Sequence, residues 1–405
     1  MASTTFKKII AHEVSPNFRQ STRIVDVPFA AVTGGLKPSE VLVKNHYVGI
    51  NASDVNYVNG KYMPGVVPPF DVGFEAIGEV VEVGGGGGGR RPPPVKKNDY
   101  VVTQCFGAFA EYQVVPLRYV KPVPRLETAY LPLDLSGTTA SICLEHVLQP
   151  RVFRRGADGR DAPSASRLTA DEVVARGAYH CPERAVVTAA AGGTGQFAAQ
   201  LLKHKYRCAC VVGLCSSDAK AAFLADTLRL DGAVNYKQAW RTHAPPETGD
   251  FASCIAAAVS AAFNAHERRA DPKRLGANLV YESVGGELLE AMVASLALHG
   301  RIASIGSISS YTSGWREDRP AAAQQQRGPL PLQLLAKSAS LHTFLLPHYA
   351  KYANQHFAEL CTLWEAGVIQ STVDDSQSFR GIASVYDAVD YLYAGKNCGK
   401  VIVKL

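Results

Sequence analysis

The run Val186-Val187-Thr188-Ala189-Ala190-Ala191-Gly192-Gly193-Thr194-Gly195-Gln196-Phe197-Ala198-Ala199-Gln200 decides the fold of this chain. A β-branched stretch leads into a tight small-residue turn and then into a helical pattern. That is the strand–turn–helix context in which a glycine-rich turn holds a pyrophosphate. Gly192 lets the chain turn sharply, and Gly193 or Gly195 lets backbone and helix approach ligand and sheet closely. Phosphates would face amide groups at the start of a helix, where the dipole favours negative charge.

Outward from this run the pattern is consistent. From Arg184 onward strands alternate with helical runs, with strands predicted at 185–188, 208–214, 233–235, 279–283 and 300–305. This half reads as a parallel doubly wound sheet. Residues up to about Leu144 instead hold short strands broken by glycine and proline, at 6–12, 40–47, 78–83, 100–103 and 110–115. They read as an antiparallel, turn-rich module. From about Leu341 the tail returns to amphipathic helix and ends in a strand over 400–404.

At 405 residues the chain is too long for one ordinary core and divides into two domains. Hydrophobic residues at 47% and charged residues at 19% describe a globular enzyme and exclude a disordered chain. A net charge of +6, with basic residues in the loops at 90–97 and 151–155, is too small and scattered for a nucleic-acid surface. No stretch approaches the roughly 20 apolar residues of a membrane span, and the N-terminus runs into a strand without signal-peptide architecture.

The nine cysteines are scattered. Cys208 and Cys210 share one face of a predicted strand, with Cys215 just past its end, and read as small hydrophobes in a reducing compartment. A metal there would need ligands that the sequence neighbourhood does not supply. Three stretches read as surface insertions: the glycine–arginine–proline run within 84–97, residues 151–184 with a short helix at 169–176, and residues 241–277 with Pro245-Pro246 and an alanine-rich helix.

Several segments resemble one family. They include Ser15 to Arg19, Gly49 to Tyr57, Pro68 to Glu75, Ser136 to Ala140, the glycine turn, Cys215 to Lys220, Tyr281 to Gly286 and Gly395 to Lys400. The chain resembles the medium-chain dehydrogenase/reductases, in their zinc-free enoyl-reductase and quinone-oxidoreductase branch. The resemblance implies an α/β fold: a GroES-like β-barrel domain (1–145 and 341–405) plus a Rossmann doubly wound parallel sheet (146–340), with the active site in the interdomain cleft. It also implies a homodimer formed by edge pairing of the nucleotide-domain sheets.

In zinc-dependent relatives a Cys ligand falls where this chain has Asn51 and a His ligand where it has Phe74. An amide and a phenyl ring cannot supply a thiolate and an imidazole, so no metal is expected. Cofactor choice follows from the end of the second predicted strand, where NAD binders carry an acid. Here Ser216 and Ser217 stand there, with Lys220 nearby, and these suit a 2′-phosphate; NADPH is the expected cofactor. In the resembling enzymes the residues matching Lys220 and Tyr236 contact that phosphate. The wider cofactor set comprises Thr138, Ala191, Gly192, Gly193, Thr194, Gly195, Ser283, Val284, Ile305, Ile308 and Asn397. Ser217 equally reads as a helix N-cap and Asn397 as a turn residue.

Without a metal or an obvious general-acid histidine, an enone is the most accessible acceptor. Hydride adds at the β-carbon, and hydrogen-bond donors stabilise the enolate oxygen. Tyr311 matches a tyrosine beside the substrate in prostaglandin-reducing members. Asn51 and Tyr57 are the further candidates, although Tyr57 equally reads as packing. The expected activity is zinc-independent NADPH-dependent reduction of α,β-unsaturated carbonyls of the 15-oxo-prostaglandin kind. NADPH:quinone reduction and non-catalytic NADPH binding are the alternatives. The tail Val403-Lys404-Leu405 matches a peroxisomal address only in its last two residues, so a cytoplasmic location is expected first.

Overall fold

The computed structural model describes residues 4–33, 35–85, 94–156, 160–164, 167–243, 250–268, 275–313 and 328–405. Pro245-Pro246 and most of the glycine–arginine–proline run lie outside them. The chain forms two compact units. One comprises Met1–Leu135, Tyr311–Trp315 and Thr372–Leu405, and the other Ser136–Ser310 and Arg316–Ser371. The expected boundaries placed 136–145 and 341–371 with the first unit; here they belong to the second.

The first unit is antiparallel. Strands β1 (Thr5–Ala11), β2 (Thr22–Pro28) and β4 (Phe70–Asp71) form a three-stranded sheet in the order β2-β1-β4. Strands β3 (Glu40–Gly49), β5 (Glu75–Val83), β6 (Tyr100–Gln104), β7 (Tyr112–Pro116), β8 (Val120–Val123) and β17 (Ile402–Lys404) form a second sheet. Its order is β17-β3-β5-β6-β8, with β7 also on β3. Register shifts at Leu42/Val43 and Asn45/Tyr47 bend β3. Buried Asn45 donates its amide to the Ala108 and Ala110 carbonyls at 3.2 and 2.9 Å, tying that bend to a neighbouring loop. The core includes Ile9, Val48, Ile50, Phe109, Val385 and Val403. The last strand therefore returns to this unit, with Val403 beside Val48.

In the second unit β11 (Tyr179–Val187), β12 (Cys208–Cys215), β13 (Gly232–Asn235), β14 (Ala277–Glu282), β15 (Leu296–Ser304) and β16 (Ser340–Thr343) run parallel. Their order is β13-β12-β11-β14-β15-β16. The winding direction reverses between β11 and β14, which is the switch point at which open α/β sheets bind ligands. Ala185, Val186, Val187 and the run Cys210–Leu214 are buried, as central parallel strands covered on both faces require. β16 extends this sheet and helix Ala353–Glu365 packs on helix Thr138–Cys143, which explains the shifted boundary.

Two of the expected insertions are structural instead. The alanine-rich helix Phe251–Glu267 buries Ala252, Ile255, Ala256, Val259 and Phe263 at helical spacing against the parallel sheet. Asp250 caps its start by accepting from the Ser253 amide at 2.9 Å. In sequence the stretch reads as a surface insertion, but the small side chains of this helix let it lie close on the sheet. Within 151–184, strands β9 (Phe153–Arg155) and β10 (Asp161–Pro163) pair antiparallel and extend the sheet beside the start of β11. Among the described residues no helix is long and apolar enough to cross a membrane.

Candidate cofactor and substrate sites

Thr138 aside, the expected cofactor residues of the second unit collect at the carboxyl ends of its parallel strands. The glycine turn follows β11, Ser216 and Ser217 follow β12, Tyr236 follows β13, Ser283 and Val284 follow β14, and Ile305 and Ile308 follow β15. In the turn, Ala189 holds a left-handed φ of +45°, a costly conformation for a residue with a Cβ. A Cβ on Gly195 would stand 2.2 Å from the Ala189 carbonyl oxygen, so only glycine lets the helix start this close to the turn. Helix Gly195–Gln200 then runs into the core with every residue buried.

Next to the turn, the Glu282 carboxylate knits two strand ends together. One of its oxygens accepts from the Val284 and Gly285 amides at 2.7 and 2.9 Å and from the Thr188 hydroxyl at 3.3 Å. Thr188 in turn accepts from the Ser283 amide at 3.0 Å. Burial pushes the Glu282 carboxyl up, and these donors oppose that shift. The Ile308 and Ser309 amides donate to the Ser283 and Val284 carbonyls and the Ile305 amide to the Glu282 carbonyl, so Ser283, Val284, Ile305 and Ile308 form one connected rim. Thr138 lies apart from the strand ends, on the buried helix Thr138–Cys143.

The ends of β12 and β13 converge because Cys215 and Asn235 are register partners. Ser217 caps the following helix by accepting from the Lys220 amide at 3.4 Å, so its capping role holds. The Asn235 side-chain amide donates to Asp218 at 2.7 Å and holds that carboxylate. The Tyr236 hydroxyl, pushed up by burial, is hydrogen-bonded to Ser216. Two serines, a lysine and a tyrosine thus share one strand-end corner. Hydroxyl and ammonium donors of this kind fit a phosphate group.

In the first unit, Asn51 belongs to a buried polar group that sequence reasoning did not assemble. Its amide nitrogen donates to Glu75 at 2.8 Å and its carbonyl accepts from the Lys400 ammonium at 2.6 Å. Lys400 also pairs directly with Glu75, and both are nearly inaccessible to solvent. Burial pushes the Glu75 carboxyl up and Lys400 opposes it. The Asn51 backbone amide donates to Asp54 at 2.7 Å, and burial pushes the Asp54 carboxyl up to about 8. An ammonium therefore neutralises the carboxylate here, and the amide is spent on both. Such a donor set does not suit a catalytic zinc. Lys400 had one signal in the sequence: a charge directly at the head of the apolar run Val401-Ile402-Val403, which a fold that buries it must pair.

Tyr57 packs its ring into an aromatic cluster. It stacks on Phe106 with ring centroids 4.1 Å apart and meets Phe70 and Phe74 edge-on. Phe74 therefore joins an aromatic wall. Tyr311 is buried, and its hydroxyl lies 3.4 Å from that of Tyr62, a residue the sequence reading passed over. Asn59 donates to the Tyr311 carbonyl at 3.4 Å. Tyr393 donates to the Ala52 carbonyl at 2.7 Å. Asn397 spends its amide on the Gly399 carbonyl at 2.9 Å, which shapes the turn leading to Lys400.

Residues 37–125 match the alcohol dehydrogenase GroES-like domain, and residues 250–403 match the zinc-binding dehydrogenase domain. The chain is 37% identical over 402 residues to a probable quinone oxidoreductase of Leishmania amazonensis, covering 99% of this chain and 98% of that one. It is 36% identical over 407 residues to prostaglandin reductase-3 of Mus musculus, covering 99% and 90%. The chain belongs to the medium-chain dehydrogenase/reductase family. A mycobacterial member solved with NADPH has the same fold, with a TM-score of 0.70 at 23% identity over 99% of this chain and all of that one. The family expectation and the expected fold class both hold. A medium-chain dehydrogenase/reductase is an oxidoreductase.

Proposed function

We propose that this chain is an NADPH-dependent reductase of α,β-unsaturated carbonyls of the 15-oxo-prostaglandin kind. The carrying observation is the Tyr311–Tyr62 hydroxyl pair in a unit whose nearby polar group is built on an ammonium. NADPH, when bound, supplies hydride to the β-carbon of the enone. The turn from Ala191 to Gly195 would hold the pyrophosphate, and Ser216, Ser217, Lys220 and Tyr236 would hold the 2′-phosphate. Ser283, Val284, Ile305, Ile308, Thr138 and Asn397 complete the cofactor contacts.

Tyr311 donates a hydrogen bond to the carbonyl oxygen as negative charge gathers there, with Tyr62 as the second hydroxyl of the pair, and a proton from solvent then completes the α-carbon. Preorganised donors aimed at a developing oxyanion are worth far more in a dry site than in water. Asn51, held between Lys400 and Glu75, orients this region, while Tyr57 supports its apolar wall. The mouse relative's name supports the enone reading. Quinone reduction is the second reading, favoured by the full-length match to the Leishmania protein. A homodimer through the edge strand β16 is supported by exposed Leu332 and Leu335 on the adjoining helix Leu330–Leu335.

Anaerobic NADPH consumption tests the proposal, with a 15-keto-prostaglandin, a short alkenal and a para-quinone as acceptors and NADH as control. Turnover of the enones to saturated ketones or aldehydes is expected. Turnover of the quinone alone would move the enzyme to the second reading. NADPH binding without turnover of any acceptor would overturn both.

A further inference from the structure

The chain neighbourhood of Cys210 lacks metal ligands, but the fold brings two to it. The Cys210 thiol, an Asp231 carboxylate oxygen and His266 Nδ1 all lie within 4.8 Å of one another. Cys210 is near the start of β12, Asp231 immediately precedes β13, and His266 is in the last turn of helix Phe251–Glu267. The closest measured pair, His266 Nδ1 to Asp231 Oδ1, is 3.4 Å apart. Ligands about 2.0–2.3 Å from a tetrahedral zinc stand about 3.3–3.8 Å from each other, so the side chains need close by only about 1 Å. We infer that Cys210, Asp231 and His266 form a binding site for a divalent zinc-type ion, with water as the fourth ligand.

Three further features favour a cation there. The other Asp231 oxygen accepts from the Val211 amide at 2.9 Å, which aims Oδ1 at the site and supports it from behind. The carbonyl end of a 17-residue helix carries partial negative charge at His266. Thiol, imidazole and carboxylate together select zinc over magnesium or calcium. The charges also balance. In the metal-free protein Lys203 pairs with Asp231, and Glu267 pairs with Arg184 at 3.2 Å. Burial and Asp231 push the Cys210 thiol up to about 12. Binding releases one proton from Cys210 and frees the Lys203 ammonium, which is 27% exposed and has a route to solvent. A thiolate and a carboxylate then neutralise the ion.

A second ligand cluster among the described residues, Glu145, His146 and His356, does not qualify. Arg167 pairs with both Glu145 and Glu359, and buried Lys205 lies 3.6 Å from Glu145. Two cations already occupy that space, and one of them, Lys205, is fully buried. The Cys210 site is also separate from the proposed cofactor corner, about 16 Å along β12 from Cys215 at a strand's rise per residue.

The test is titration of the metal-free full-length protein with zinc chloride by calorimetry, and with cadmium by its thiolate charge-transfer absorbance. One equivalent with a thiolate band is expected. Cys210→Ser should abolish the band, and both Cys210→Ser and His266→Asn should weaken zinc by about tenfold or more. Lys203→Met should tighten it about tenfold, because the competing ammonium is gone. His266 is partly exposed, so His266→Asn decides the matter should Cys210→Ser fail to fold. No zinc binding, or binding and a band unchanged by these variants, would overturn the inference.

Discussion

The parallel unit builds its candidate site from turns at the ends of five neighbouring strands, whereas the antiparallel unit builds its own from side chains distant in sequence. Asn51 meets Lys400 across 349 residues, and Tyr62 meets Tyr311 across 249. The first kind of site depends on backbone geometry and small residues. The second depends on buried charge that must be paired in one arrangement. Substitutions should therefore act mainly on ligand binding in the parallel unit, and on stability and turnover in the antiparallel one.

The largest effect is expected at Lys400. Lys400→Met leaves Glu75 buried without its counter-charge and should cost about 3–5 kcal/mol, read by denaturant unfolding. The double variant with Glu75→Gln should recover much of it. A Lys400→Met protein as stable as wild type would break the contrast between the units. Tyr311→Phe comes next, with an expected fall of about 100-fold in kcat/KM for an enone and unchanged NADPH affinity. An equal fall for Asn51→Asp, or none for Tyr311→Phe, would remove the donor role.

Asp54 gives a pH-dependent effect. Its folded pKa of about 8 lies above the unfolded value, so the folded state binds the extra proton. Its favourable contribution is full below pH 4 and is lost as pH rises through about 8. Asp54→Asn should flatten that decline and raise stability more at pH 8 than at pH 5, measured as thermal melts from pH 5 to 9. A larger gain at pH 5 than at pH 8 would have the wrong sign. The smallest effect belongs to the strand-end corner. Lys220→Ala should weaken NADPH about tenfold and leave NADH and the melting temperature unchanged, which would sharpen the contrast by confining the change to the ligand.

The alternation of strand and helix around Val186–Gln200 determined the doubly wound sheet, because period and turn chemistry are local properties of the chain. The same locality made the turn from Ala191 to Gly195 and the Ser216-Ser217 corner legible, whereas Tyr236 was named only through the family resemblance. The alanine-rich helix misled because composition does not say which face a helix buries; the sheet beneath it does. Asn51 could be named from its segment, but its partners could not, since Lys400 and Glu75 lie on other strands. Tyr62 and the companions of Cys210 were hidden for the same reason. The sequence alone determined where backbone turns and apolar runs lie, because these follow from neighbouring residues. Only the tertiary structure decided which buried charges and hydroxyls face one another, because that pairing arises when burial forces distant polar groups to satisfy each other.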